Sequence, residues 1–244
     1  ELCIFDAAGS RELRRYPLHG PHNDVFHGFL PGAGAGLVYG LRAHGPYQPD
    51  AGHRFNCSKL LLDPWAREII GQFAWRAEHH GYELGHPEGL RSFDTRDNAG
   101  YALKARVAAV AGSTDRPPPP RHRPADVVMY EVHVKGFSAA HPDIPEDLRG
   151  TYAALAHPVA IEHFTRLGVT TLSLLPVQFC VDEVGLANRG MHNYWGYNTL
   201  GFFCPDPRLA AHHADPAAIA AEFRAMLAPP HPSGIEVARA AGDH

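Results

Sequence analysis

The sequence predicts a β-sandwich followed by the first β/α units of a TIM barrel. Residues 1–107 contain short strand-length segments separated by Gly and Pro, which is typical of a sandwich. A run of four prolines, residues 117–120, then interrupts the chain. Beyond it, apolar strand-like segments alternate with helical ones, and a long aromatic segment follows the second strand. That order is typical of a barrel whose loops after the strands build the site.

Four segments of the first part have strand length and composition: residues 2–5, 12–18, 25–30 and 37–43. The glycine-rich residues 31–36 resemble a phosphate-binding loop in composition. Such a loop needs a helix N-terminus directly after it, and residues 37–41 read as a strand. The sequence therefore predicts a hairpin connection there.

Residues 108–125 are predicted to be a linker. Consecutive prolines cannot join a helix or an interior strand, so they hold an extended spacer. A ligand for a proline-binding domain is the alternative, and a domain boundary accounts better for the change of character on either side. The predicted domains are therefore 1–107 and 126–244.

The second part begins with residues 126–134, whose apolar and β-branched composition predicts a strand buried on both faces. An amphipathic helix over 158–167, ended by Gly168, and a second buried strand over 169–176 complete a parallel β-α-β unit. Asp215 and Pro216 predict the start of a helix that runs to about residue 227. A third strand is predicted to start at 234–237.

The aromatic loop, residues 193–199 (NYWGYNT), lies in an excursion of the chain over 177–215 that is expected to be a long loop. Aromatic faces cover the apolar side of a pyranose, and carboxamides bond its hydroxyl groups. The alternative is that Trp195 and Tyr197 only close the end of a hydrophobic core. The place of the segment after a barrel-type strand favours a sugar-binding surface.

The formal net charge of −4 gives no reason to expect nucleic acid or an anionic membrane as partner. No apolar run approaches the roughly 18 residues of a membrane span, and no signal peptide opens the chain. The four cysteines are widely spread, which indicates free thiols and a cytoplasmic location. Neither a metal nor a cofactor is predicted. The oligomeric state is left open.

Seven segments carry a family resemblance: residues 25–31, 39–47, 53–65, 129–138, 148–152, 167–178 and 193–206. Through them the chain resembles the isoamylase-type, glycogen-debranching branch of the α-amylase superfamily (glycoside hydrolase family 13). The resemblance implies that residues 1–107 form an N-terminally clipped domain like carbohydrate-binding module 48, and that 126–244 begin a truncated (β/α)8 barrel. It also implies hydrolysis of α-1,6-glucosidic branch linkages, with glycogen or another branched α-glucan as partner.

By the same resemblance, Tyr197 stacks under the glucose at the cleavage subsite, and Trp195 and Asn198 shape the wall beside it. The family's catalytic carboxylates lie on later barrel strands, so no catalytic residue is assigned in this chain and it is expected to be inactive alone. Four carboxylates of the second part match no catalytic position of the family and are expected to be structural or solvated: Glu131, Asp182, Glu183 and Asp206. Residues 238–244 depart from the motif that the family has after its third strand.

Three alternatives stay open. Another enzyme of the superfamily, such as a branching enzyme or a trehalose-releasing hydrolase, shares the same predicted layout. A non-catalytic glucan-binding protein would use the aromatic loop without cleaving sugar. A chain with an unpaired barrel edge would fold poorly and aggregate.

Overall fold

The computed structural model describes residues 1–109, 120–212, 215–228, 230 and 232–239. It divides into two compact units, Glu1–Val110 and Ala111–His244. Most of the predicted linker, residues 110–119, lies outside the described residues. The predicted domain limits of 107 and 126 therefore stay a prediction.

The first unit is built on a five-stranded antiparallel sheet with the order β2-β1-β5-β9-β8. Its strands are β1 (Leu2–Phe5), β2 (Glu12–Tyr16), β5 (Val38–Leu41), β8 (Glu68–Ile70) and β9 (Lys104–Arg106). Alternate residues of β5 are buried, as a strand with one face on a core requires. That core contains Cys3, Phe5, Val38 and Leu60.

The remaining described strands of this unit form two ribbons, β3 (His19–His22) with β4 (Val25–His27) and β6 (Tyr47–Gln48) with β7 (His53–Arg54). Asn23 and Asp24 connect β3 to β4 with positive φ angles of 51° and 62°, as a tight hairpin turn demands. The predicted hairpin connection over 31–36 is wrong. Strand β4 pairs with β3, whereas β5 pairs with β1 and with β9, which is more than 60 residues further along the chain.

The second unit contains a three-stranded parallel sheet with the order β10-β11-β14, which confirms the predicted parallel β-α-β unit. The strands are β10 (Met129–Val132), β11 (Thr171–Leu174) and β14 (Glu236–Arg239). The helices are α1 (Val134–Ser138), α2 (Tyr152–Leu155), α3 (Pro158–Arg166), α4 (Val184–Ala187) and α5 (Pro216–Met226). None of the helices within the described ranges has the length and apolarity that crossing a bilayer requires.

Local sequence signals fix the ends of the two long helices. The Asp215 side chain accepts a hydrogen bond from the backbone N–H of Ala218 at 3.3 Å, and Pro216 occupies the first helical position of α5, as predicted. After α3, Gly168 adopts φ = 75°, a conformation that favours glycine. Both helices contribute to the core of the unit, through Phe164 in α3 and Ile219 in α5.

Two expectations for the second unit are wrong. Strand β10 is not buried on both faces, since Met129 is 61% exposed and Glu131 is exposed as well, and Val127 and Val128 just before the strand are 39% and 48% exposed. It lies at an edge of the described sheet, where its apolar residues have no neighbouring strand on one side. The segment 177–215 is not one long loop either. It contains α4 and an antiparallel pair, β12 (Gln178–Cys180) with β13 (Thr199–Pro205).

Candidate functional site

The aromatic loop lies between α4 and β13, and its rings face the outside of the second unit. Tyr194, Trp195 and Tyr197 are 48%, 56% and 38% exposed. They therefore do not plug a hydrophobic core, which was the alternative to a binding surface. Asn198 is half-buried at the start of β13. The predicted site residues are thus adjacent on one loop, with two exposed rings and one partly covered amide.

The carboxamides of the loop hold its shape. Asn193 accepts a hydrogen bond from the backbone N–H of Gly196 at 2.8 Å through Oδ1, and its Nδ2 donates to Glu183 at 2.8 Å. Asn198 donates from Nδ2 to the carbonyl of Val181 at 2.8 Å. The Val181 N–H donates in return to the Asn198 carbonyl at 3.1 Å. These bonds give Asn198 a structural task beside its predicted contact with sugar.

The end of strand β10 holds the aromatic loop through His133. The imidazole is stacked on the Tyr194 ring, with centroids 4.2 Å apart and an angle of 5° between the planes. Its Nδ1 accepts from the Gly136 N–H at 3.1 Å, so the proton of the neutral ring lies on Nε2, which donates to the Tyr194 carbonyl at 2.7 Å. A Cβ on Gly136 would lie 2.4 Å from the Tyr194 hydroxyl. His133 and Gly136 thus position the loop.

The end of strand β11 holds the loop through Gly196. This residue has φ = 81°, and an added Cβ would lie 3.0 Å from the carbonyl oxygen of Pro176, two residues after β11. The loop backbone therefore lies directly on Pro176. Since β10 and β11 are parallel, the residues that follow them, His133 and Pro176, lie at the same edge of the sheet. The exposed rings are thus mounted at the carboxyl ends of two parallel strands.

Arg208 links the base of the loop to the β12–β13 pair. Its guanidinium donates to Asp206 at 2.7 Å and to Asp182 at 3.2 Å, and it also contacts the Cys180 sulfur. Burial acts to lower the pKa of Arg208, but the hydrogen bond and charge of Asp206 outweigh it and the pKa is raised. Burial, and then the charge of Asp206, raise the pKa of the Cys180 thiol to about 12. This cysteine is therefore a neutral packing group.

Asp182 connects Arg208 to the aromatic loop. It accepts from the Asn193 N–H at 2.7 Å and is paired with His192 at 2.8 Å. Burial acts to raise the pKa of Asp182. The hydrogen bonds from His192 and Asn193 and the charge of Arg208 outweigh burial, so the pKa is lowered. Asp182 is thus held as a carboxylate by structural partners.

The other three carboxylates of the second part for which the sequence predicted no catalytic role either bind a neighbouring side chain or face solvent. Glu183 binds the Asn193 amide, Asp206 binds Arg208, and Glu131 is exposed on β10. Within the described ranges, no group of three or more His, Cys, Asp or Glu side chains is placed to hold a metal ion.

Sequence reasoning did not identify the residues that mount the loop, above all His133, Gly136 and Arg208. His133 and Gly136 belong to the quoted segment 129–138, but nothing local to that segment shows a contact with Tyr194, 61 residues away. Arg208 and Asp182 are 26 residues apart. The only hint that the sequence offers of these contacts is the glycine at positions 136 and 196.

Comparison with known proteins confirms the predicted resemblance. The chain is 45% identical over 237 residues to the glycogen debranching enzymes of Salmonella typhi and Salmonella heidelberg (strain SL476), which is 97% of this chain and 34% of each relative. The chain thus spans about a third of the length of the curated relatives it matches. No protein-family model matches it.

Solved structures show the same fold. A pullulanase from Anoxybacillus sp. LM18-11, complexed with maltotetraose, superposes with a TM-score of 0.65 at 18% identity, over 98% of this chain and 31% of that one. The catalytic module of SpuA, a glycogen-degrading pneumococcal virulence factor, superposes with a TM-score of 0.69 at 19% identity, over 98% of this chain and 33% of that one. The chain therefore shares its fold with a part of these enzymes.

Proposed function

We propose that this chain, a relative of the bacterial glycogen debranching enzymes, is the part of an α-1,6-glucosidase that holds the sugar at a branch point of glycogen or limit dextrin. In this proposal residues 1–107 are a β-sandwich like carbohydrate-binding module 48. Residues 126–244 supply the first β/α units of a (β/α)8 barrel. The five-stranded antiparallel sheet of the first unit and the parallel sheet of the second support this division.

One observation carries the proposal: the exposed rings of Trp195 and Tyr197 are mounted where two parallel strands end. In barrels of this type the loops after the strands build the active site. His133 and Gly196 fix the loop from beneath, so its rings present their faces at little entropic cost. Such a preorganised aromatic surface suits the apolar face of a pyranose.

Tyr197 is proposed to stack under the glucose at the cleavage subsite, with Trp195 and Asn198 as the wall beside it. A flat ring beneath the sugar fits the flattened, oxocarbenium-like geometry of the transition state. Stacking positions the sugar and transfers no proton. Retaining hydrolysis needs in addition two carboxyl groups about 5–5.5 Å apart, one as nucleophile and one as acid and base. The resemblance places those on later strands, so we expect the 244-residue chain to bind glucan without cleaving it.

Glycogen affinity electrophoresis tests the binding surface. Tyr197→Ala and Trp195→Ala should each weaken retardation about tenfold, since an aromatic contact contributes roughly 0.5–1.5 kcal/mol beyond the area it buries. Leu167→Ala is the control, because Leu167 is a 52% exposed apolar residue at the end of α3, outside the aromatic loop, and it should leave retardation unchanged. Equal mobility of the two loop variants and the parent chain in the glycogen gel would contradict the proposal.

A reducing-sugar assay on branched limit dextrin tests the chemistry. We expect no release of reducing ends by the pure chain, and clear turnover would overturn the assignment of the catalytic groups to other strands. The same exposed loop also favours a second candidate, a non-catalytic glucan-binding protein. Turnover that appears when the reading frame is extended to the length of the relatives supports the enzyme, and its absence there supports the binding protein.

The cytoplasmic location stays a prediction, which cell fractionation with an antibody against the chain tests.

A further inference from the structure

The first unit contains a cleft of about 550 Å³, formed by residues between Ala43 and Leu90. Its size is in the range of small-molecule sites, which are roughly 300–1,000 Å³. The cleft is independent of the aromatic loop and of the function proposed for it. Five of its thirteen lining residues carry aromatic rings, and none is Asp or Glu.

The rings of the cleft are held from behind. Tyr47 packs edge-on against Phe93, with centroids 4.9 Å apart, and donates its hydroxyl to the Leu90 carbonyl at 3.0 Å. Phe55 lies so close to Gly45 that a Cβ there would be 2.6 Å from the ring. These contacts fix the orientation of both rings before any ligand arrives, which reduces the entropic cost of binding.

His80 and Tyr82 add two further rings to the lining and are held by neighbouring rings. His80 lies nearly parallel to Trp75 at 5.9 Å, and Tyr82 meets His80 edge-on at 5.3 Å. His80 and Tyr82 both line the cleft. With Tyr47 and Phe55, they give four rings around one space, enough to enclose a single six-membered ring.

Two polar side chains deep in the cleft already have their hydrogen bonds satisfied within the protein. Asn56 donates to the carbonyls of Gly81 and Asp94 at 3.0 and 2.8 Å. Lys59 donates to the carbonyls of Glu78 and Arg96 at 2.9 and 2.7 Å, and its ammonium lies 3.5 Å from the Asp94 carboxylate. Neither side chain is left to bind a ligand.

Arg54 is different. It is exposed, it lines the cleft, and no carboxylate of the described residues pairs with it. Arg54 is the cross-strand partner of Tyr47 in the β6–β7 ribbon, and Tyr82 lines the same cleft. A guanidinium without a carboxylate, beside a cleft without Asp or Glu, is suited to an anion of the ligand, above all a phosphate.

His79 belongs to the lining of the cleft as a neutral ring. Its ring is stacked on Phe73 at 5.1 Å, and one nitrogen bonds the backbone of Ala74. Burial lowers its pKa, so the imidazole is neutral at pH 7. Its Nε2 has almost no accessible surface and no hydrogen-bond partner among the described residues, so it is closed to a ligand in this conformation.

We propose that this cleft binds a pyranose phosphate, with the sugar ring among Tyr47, Phe55 and Tyr82 and the phosphate on Arg54. A neutral sugar leaves the guanidinium without a partner, and free phosphate leaves the rings without one. The cleft therefore favours a ligand that carries a sugar ring and a phosphate in one molecule.

Isothermal titration calorimetry of the 244-residue chain at low salt tests this, with glucose 6-phosphate as the probe. We expect a dissociation constant of about 1 mM or lower, with maltose and inorganic phosphate each at least about tenfold weaker. Arg54→Gln should weaken glucose 6-phosphate about tenfold, because a charge-assisted hydrogen bond is lost. Arg67→Gln, an exposed arginine of the same unit outside the cleft, should leave the constant unchanged.

Tyr82→Leu provides a second variant that leaves the charge in place, and it should weaken glucose 6-phosphate and leave the response to inorganic phosphate unchanged. Three results would overturn the site: no heat of binding up to about 10 mM probe, equal binding of maltose, or unaltered binding by both cleft variants. Because glycogen retardation depends on Tyr197 and Trp195, failure here leaves the proposed function standing, and the reverse holds as well.

Discussion

Replacing Asp94 by Asn should destabilise the first unit strongly, because it leaves a buried ammonium without its counter-charge. The side chains of Lys59 and Asp94 are 7% and 1% exposed, and their charged atoms lie 3.5 Å apart. Lys59 otherwise donates only to the carbonyls of Glu78 and Arg96. Arg96 also binds Asp94, but its side chain is half exposed and water can replace that contact.

The expected cost follows from these contacts. Removing one partner of a buried ion pair typically costs about 3–5 kcal/mol. Since Lys59 keeps two carbonyl acceptors and Arg96 can be hydrated, we expect the lower end, about 3 kcal/mol. That is a large share of the roughly 5–15 kcal/mol that stabilises a typical domain.

The pH dependence gives a second check. The Arg96 hydrogen bond, opposed in part by burial, lowers the pKa of Asp94 to about 2, below the roughly 3.9 of an unfolded chain. A carboxyl whose pKa is lowered on folding stabilises the fold above its unfolded pKa, and this contribution is lost as the pH falls through the folded pKa. The difference between the parent chain and Asp94→Asn should therefore shrink between about pH 4 and pH 2.

Urea unfolding measures both effects, followed by the fluorescence of Trp65 and Trp75 in a Trp195→Phe background. Asp50→Asn is the control, because Asp50 forms a fully surface-exposed pair with Arg91, and should cost less than about 0.5 kcal/mol. A cost below about 1 kcal/mol for Asp94→Asn at pH 7, or the same cost at pH 7 and pH 2, would refute the reasoning.

Two further predictions concern the second unit. Gly196→Ala should lower the stability of the unit by about 2 kcal/mol in thermal unfolding, since the added Cβ would lie 3.0 Å from the Pro176 carbonyl oxygen. Gly190→Ala is the control and should cost only about 1 kcal/mol, because Gly190 has φ = 66° but open space around it. Equal costs would show that the contact with Pro176 is unimportant. The Cys180 thiol, with its pKa raised to about 12, should react with a disulfide reagent at pH 8 at least about 100-fold more slowly than the exposed Cys57. Mass spectrometry of the labelled peptides measures the two rates, and comparable labelling would contradict the burial of Cys180.

The sequence predicted the elements whose signals are local. Strand β11, helix α3 with its glycine end and helix α5 with its Asp215 cap all follow from residues within a few positions of one another. Composition also separated an antiparallel first part from a parallel second part. The exposed aromatic loop was likewise predicted, because three rings and two amides in seven residues need no tertiary contact to be noticed.

Tertiary structure alone decided how that loop is held and which strands lie at an edge. Strand β10 has the composition of a buried strand, yet burial depends on neighbours and not on composition. The stacking of His133 on Tyr194 and the bridge from Arg208 to Asp182 join residues far apart in the chain. Local periodicity reports only the faces of single elements, so contacts made when those faces meet become visible only once the chain is folded.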